Sequence, residues 1–331
     1  TPKSTDFDDF FGAYPVMLYN GVVQERLDPN DFSKYITGEA ADITTGAEGD
    51  VMIAYPRRGL KLETIGEILK TSMTDNLNAE AEGYEYLAHT RGNVVKDTLY
   101  VGAYLGSEIG GKLRSLSGKT PVARKTISQL RALAQANGAG YDQLMFYPLT
   151  YLQAMYLLKY KSTDSQTALG RGYVDGNSAA IVTGGTNKKG MDFGETTGKQ
   201  QMKIFGIEDF WGNLLQWIDG LYSNSNYEIM TATQDFNDTG SGYANQGKGA
   251  TANVAGYPKK VQGTTKTGFI VKDSAGSQTT HFCDYGALYS DKIGYFGGSW
   301  GSSSDAGAFF LRVTYSASGS ISNVGGRLLF L

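Results

Sequence analysis

Apolar residues recur along this chain in short runs broken by turn residues, and their spacing sorts the runs into strands and helices. In GDVMIAYP (49–56), Val51, Ile53 and Tyr55 fall at every second position, the spacing of a strand. Pro56 ends it, because proline has no N–H to give a ladder. YPVMLYNGVV (14–23) is a further short apolar run beside a turn, and NVVKDTLYVGAYLG (93–106) reads as strand. LETIGEILKTSM (62–73) is different. Leu62, Ile65, Ile68 and Leu69 are spaced for an amphipathic helix or a short ordered loop.

Two stronger helices follow. TISQLRALAQAN (126–137) has Thr126 placed to cap its start and Gly138 and Gly140 placed to stop it. FYPLTYLQAMYLLKYKS (146–162) is apolar at Leu149, Leu152, Tyr156 and Tyr160, and Pro148 is tolerated in a first turn. Its aromatic and methionine stripe is what a core-facing helix needs. Residues 161–203 and 223–281 are polar and Gly-rich with little period, so they read as loops and short strands. The second stretch, with weak hairpin signals such as TGFIVKDSAGS (267–277), reads as an insertion on a loop. FGIEDFWGNLLQWIDGLY (205–222) is the densest aromatic segment, and Trp211 and Trp217 in it read as core.

The chain closes with GGSWGSSSDAGAFFLRVTYSASGSISNVGGRLLFL (297–331), whose ends look strict and whose middle looks permissive. In 306–316, Leu311 and Val313 fall on one face of a strand, while Phe310, Arg312 and Thr314 fall on the other. VGGRLLFL (324–331) is a terminal strand with Leu328 and Phe330 on a shared face. Outward side chains between such fixed ends can change as long as the inward face and the turns survive.

Composition narrows the function classes. Glycine, at 44 of 331 residues, is roughly twice its usual share of about 7%, yet there are only 7 prolines, so the chain is loop-rich and globular. Tyrosine numbers 22, and tyrosine supplies wide, stiff, amphipathic contact area. Lys and Arg total 30 against 33 Asp and Glu, with no basic block, which argues against nucleic acid and anionic membranes as partners. No apolar run approaches the ~18 residues of a membrane helix. One cysteine, Cys283, cannot form an internal disulfide, so folding in a reducing compartment is expected. A start at Thr1 in place of methionine is expected of a trimmed chain.

Catalytic and metal chemistry finds little support. His281 and Cys283, two residues apart, make at most half of a zinc site, and His89 is remote in sequence. The GKT of GKLRSLSGKT (111–120) lacks the upstream glycine spacing of a phosphate-binding loop. The acidic stretches DFDD, DPND and DFND do not follow the spacing of a calcium loop and read as solvated turns. No enzyme activity, cofactor or metal is expected.

GIEDFWGNLLQWIDG (206–220), GGSW (297–300) and the closing GGRLLF together resemble the formylglycine-generating-enzyme-like branch of the C-type lectin fold. Gly206, Asp209, Gly212, Asn213 and Trp217 match that family's first segment; Gln216 stands where glutamate is common. Gly297, Gly298, Ser299 and Trp300 match the second segment, and Gly326 with Arg327 the third. The run from TISQLRALAQAN to GRGY also resembles phage tail proteins of this fold. The likeness covers about the last two-thirds of the chain, with a looser echo in YNGVV, LDPNDF and GDVMIAYP.

The ending is further similar to the variable proteins of diversity-generating retroelements, in which an adenine-directed, error-prone reverse transcriptase rewrites the 3′ end of the gene. Compared with that family's pattern, the chain departs at Gly301, Ser302, Asp305, Phe310, Arg312, Thr314, Tyr315, Gly319 and Ile321. It keeps Ala306, Gly307, Leu311, Val313, Ser316 and Gly325. The resemblance implies an α+β, C-type lectin-like fold with two main helices, short twisted strands, many loops and a long inserted loop. It implies a strand-rich part at 1–60 packed on a lectin-like domain at 61–331, with an insertion at about 223–281 and a variable region at about 295–325.

The implied ligand-binding residues are Gly301, Ser302, Ser304, Asp305, Phe310, Arg312, Thr314, Tyr315, Gly319, Ile321 and Asn323. The implied partner is a receptor, protein or glycan, on a host or target cell. No nucleic acid and no membrane insertion are implied, while a homo-oligomer is. The setting is the tail of a phage or prophage virion, with the bacterial cell surface as the alternative. A non-variable structural tail or adhesin module is the competing reading. The related oxidase holds copper with a cysteine pair, which a chain with Cys283 alone does not carry. A calcium-dependent sugar lectin would show a Glu-Pro-Asn type tripeptide and disulfides, and neither is available.

Overall fold

A computed structural model describes residues 6–176 and 178–331. Two large sheets organise the chain. In the first, seven antiparallel strands run in the order Tyr141–Gln143, Leu328–Phe330, Thr98–Gly102, Asp50–Pro56, Tyr14–Tyr19, Val22–Asp28 and Asp31–Tyr35. The N-terminal strands and the chain's last strand therefore share one sheet. In the second, the order is Ala244–Lys248, Glu228–Thr231, Leu215–Ser223, Lys292–Phe296, Leu311–Tyr315, Gly286–Leu288 and Val254–Gly256. The short strand Val324–Gly325 pairs in parallel with Leu215–Ser223. Strand Asp50–Pro56 is buried along nearly its whole length, as a central strand covered on both faces must be.

Strand dominates where an α+β balance was expected: the chain is mainly β with few helices. The helix expected at 126–137 spans Ile127–Gln135. The Thr126 side chain accepts from the Gln129 backbone N–H, and the Gln129 side chain accepts from the Thr126 N–H, so both ends of a capping box are made. Helix Phe146–Tyr160 is buried on almost every side, and its aromatic and methionine stripe is core.

Residues 62–73 form no helix. They belong to a hairpin of Gly59–Ile65 against Ile68–Thr74, turning at Gly66 with φ +62°. Leu60 and Leu62 point inward, while Ile65 and Ile68 stand exposed at the tip. The i, i+3 spacing was an accident of a two-residue turn. The stretch 223–281 holds short strands among loops. It supplies both edge strands of the second sheet, and Phe269, Ile270, Val271 and Val261 join the main core.

Candidate binding face

The terminal segment is anchored from below by a buried polar network. Arg327 is wholly buried, and its guanidinium donates to Gln216 Oε1 (2.8 Å) and to the backbone carbonyls of Gly102, Glu208 and Asp209. Gln216 in turn donates to the Asp209 and Phe210 carbonyls. Asn213 donates to Asp209 Oδ2 at 2.8 Å, as does Gln201 at 2.6 Å. Asp209, Asn213 and Arg327, three of the residues that carry the sequence resemblance, thus form a brace with Gln216 and Gln201. Apart from Asp209 Oδ1, their bonds meet demands that burial makes costly to leave unmet.

The start of the segment is fixed by its turn. Gly298 has φ +83°, and a Cβ there would sit 2.5 Å from the Ala306 Cβ, so no other residue fits without movement. The Trp300 N–H donates to the Asn213 carbonyl, and the Trp300 carbonyl accepts from the Gly176 N–H. Beyond it, Gly307 passes over Asp284, whose carboxylate accepts from Ser165 Oγ (2.9 Å) and the Phe309 N–H (2.8 Å). Burial pushes the Asp284 carboxyl up to about 8, only partly offset by those two donors.

Strand Leu311–Tyr315 divides its side chains by alternation as far as Thr314. Leu311 and Val313 are buried in the main core, and Arg312 and Thr314 are half-buried on the other side. Tyr315 leaves the alternation at a register shift against Lys292–Phe296 and joins Arg312 and Thr314, also half-buried and stacked on Tyr295. Beneath these three lies an aromatic floor. Tyr295 and Tyr315 stack, Trp217 meets both edge-on, and the Tyr295 hydroxyl lies 2.8 Å from Thr314 Oγ1. The Trp217 Nε1–H donates to the Lys125 carbonyl, which locks the floor's deepest ring in place. Two loops, 299–305 and 316–323, rim this face.

The eleven residues expected from sequence do not all stand alike. Gly301 is exposed, and nothing lies within 4 Å of where its Cβ would be. Ser304, Gly319, Arg312, Thr314 and Tyr315 are half-buried on the loops and strand. Ser302 Oγ accepts from the Ser299 N–H (2.8 Å), and Asn323 Nδ2 donates to Ser299 Oγ (3.2 Å), so both also hold loop geometry. Ile321 packs against the second core cluster. Asp305 accepts from the Tyr257 hydroxyl. Phe310 departs from expectation: it is buried at 3% exposure and belongs to the floor, because Tyr295 and Arg312 lie over it.

Sequence reasoning missed the residues brought to this face from elsewhere. Tyr257 and Gln278 come from the stretch 223–281, with Gln278 Nε2 donating to the Tyr257 hydroxyl and to Ser304 Oγ, both at 2.7 Å. Tyr285 packs edge-on against Tyr257. Only the high tyrosine count hinted at them. Next to the rim opens a cleft of about 460 Å³ lined by Gln166, Arg171, Gln278, Cys283, Asp284 and Ser304, among others. Burial holds the Cys283 thiol up at about 11, so it stays protonated at neutral pH, and His281 stands exposed beside it. Among the described residues, no group of three or more His, Cys, Asp or Glu side chains gathers to hold a metal.

No family model and no curated protein matches this sequence. Solved structures to which it is similar include the Major Tropism Determinant U1 variant, at 14% identity over 96% of this chain and 71% of that one, with a TM-score of 0.35. The M1 variant of the same protein aligns at 13% identity with the same coverage and TM-score. PvdO from Pseudomonas aeruginosa aligns at 9% identity over 85% of this chain and 94% of that one, with a TM-score of 0.32.

Proposed function

We propose that this chain is a ligand-binding display protein of the C-type lectin-like, diversity-generating type, and that it recognises a receptor on a host cell from the tail of a phage or prophage. It acts by binding alone, without catalysis. One observation carries the reading: within Leu311–Tyr315, the inward side chains belong to the core and the outward ones to an aromatic-floored face. Framework and contact surface are therefore carried by different side chains of one strand, and outward substitutions are expected to cost little stability.

In this reading Gly301, Ser304, Arg312, Thr314, Tyr315 and Gly319 set specificity. Ser302, Asp305, Ile321 and Asn323 contribute while also shaping the loops, and Phe310 supports the floor. Stiff aromatics with few rotatable bonds lose little entropy on binding, which suits Tyr315 to an anchor role.

The test is adsorption of the fluorescently labelled chain to a panel of bacterial strains, wild type against Arg312→Ala/Thr314→Ala/Tyr315→Ala. Strain-selective adsorption lost in the triple variant, with an unchanged far-ultraviolet spectrum, is the expected result. Adsorption that is equal for both chains contradicts the reading.

A further inference from the structure

Arg312 is unusually placed for a surface arginine. Its guanidinium carbon lies 5.3 Å from the Tyr285 ring centre, 5.6 Å from that of Tyr295 and 6.0 Å from that of Phe310. Its Nε is shielded from water yet has no hydrogen-bond acceptor, while the side chain as a whole is only half-buried. Among the described residues it pairs with no carboxylate. The one acidic side chain of the 301–323 segment, Asp305, is engaged by Tyr257 instead.

A cation held between rings is restrained in orientation before any partner arrives. Guanidinium presents its donors as a rigid fork that fits two oxygens of one planar group. Arg312 is half-buried, so it is the unburied part of that fork, and not the shielded Nε, that a partner's oxygens can reach. Arg312 is also the only Lys or Arg between residues 301 and 323. Arg171 also reaches the rim, 3.4 Å from Ser303 Oγ, but is paired with Asp175, so Arg312 is the cation that the rings present unpaired. One such charge matches a monoanion better than a multiply charged phosphate or sulfate chain, which several cations would be needed to balance.

We propose that Arg312, oriented by Tyr285, Tyr295 and Phe310, is the anchor for a carboxylate group on the bound partner. This rests on reading the face as a binding surface and adds the chemistry of what it takes. In this form of the face, Tyr315 supplies apolar contact area beside the charge, so the group recognised is a carboxylate next to an apolar or ring-shaped body.

The test is a titration of the wild-type chain with N-acetylglutamate, glucuronate and inorganic phosphate, followed through the arginine Nε–H resonances. Arg312→Lys identifies the relevant signal by its loss. The Arg312 resonance is expected to shift saturably with one or both carboxylates and at least several-fold less with phosphate at equal concentration. The exposed Arg26, in the other sheet, should hardly move. A shift no larger than that of Arg26, or one equal for phosphate and carboxylates, overturns the proposal. No receptor is used, so that failure would leave cell adsorption free to succeed. Failure of adsorption alone would count against the functional reading and not against the anion site.

Discussion

Tyr315 lies flat on Tyr295, their ring centres 4.4 Å apart and their planes inclined by 19°. One ring belongs to the half-buried face and the other is 1% exposed. The pair is where display and framework meet, and the two positions should respond very differently to truncation. Tyr315→Ala is expected to cost about 1 kcal/mol, the worth of an aromatic pair. Tyr295→Ala should cost about 3–5 kcal/mol, as other buried aromatics do. Urea unfolding of the two variants measures the contrast.

Glycines in the same turn should separate in the same way. Gly298→Ala forces a Cβ onto Ala306 at a positive φ, and is expected to destabilise by more than about 1 kcal/mol. Gly301→Ala meets open space and should stay within about 0.5 kcal/mol of wild type. Thermal melts of both variants decide the matter.

Arg327→Met removes a fork that satisfies four buried acceptors. At about 1–3 kcal/mol for each group left unmet, the loss is comparable to a whole domain's stability. The variant is expected to be insoluble or to lack a cooperative melt. A folded Arg327→Met chain would mean that the brace is dispensable.

Asp284 should give the chain a distinctive response to alkali. Its folded-state carboxyl sits at about 8 because of burial, while in the unfolded chain it titrates near about 3.9. Between those values the native state holds the extra proton, so stability from this group is full at low pH and falls as pH rises. His89 works the other way below neutrality: burial lowers it to about 4, so its contribution rises as pH increases to about 6.5. From pH 6.5 to 8 the Asp284 effect stands clear of it. The wild type is expected to lose up to about 1.4 kcal/mol per pH unit through this group. Asp284→Asn should lose correspondingly less, in chemical denaturation at pH 6.5, 7.3 and 8.

Much of the framework was legible in the sequence because its signals are local. Thr126 marks a helix start one residue before Ile127, and GGSW marks a turn that only glycine allows. The hairpin at 59–74 was not legible, since Leu62, Ile65, Ile68 and Leu69 satisfy a helical spacing and a hairpin spacing equally. Phe310 was misplaced because alternation assigns a side to a residue without saying what else covers that side; here Tyr295 and Arg312 do. Tyr257, Gln278 and Tyr285 reach the face only through pairing of strands far apart in the chain, which no local pattern records.

The central claim is that the framework is fixed and the face is free to change, and sequencing this gene's 3′ end across a natural population of its source tests it most directly. Substitutions are predicted to crowd into codons for the outward residues of 301–323, opposite template adenines, while Leu311, Val313, Gly298 and Arg327 stay constant. A 3′ end as invariant as the codons for 206–220 would contradict the account.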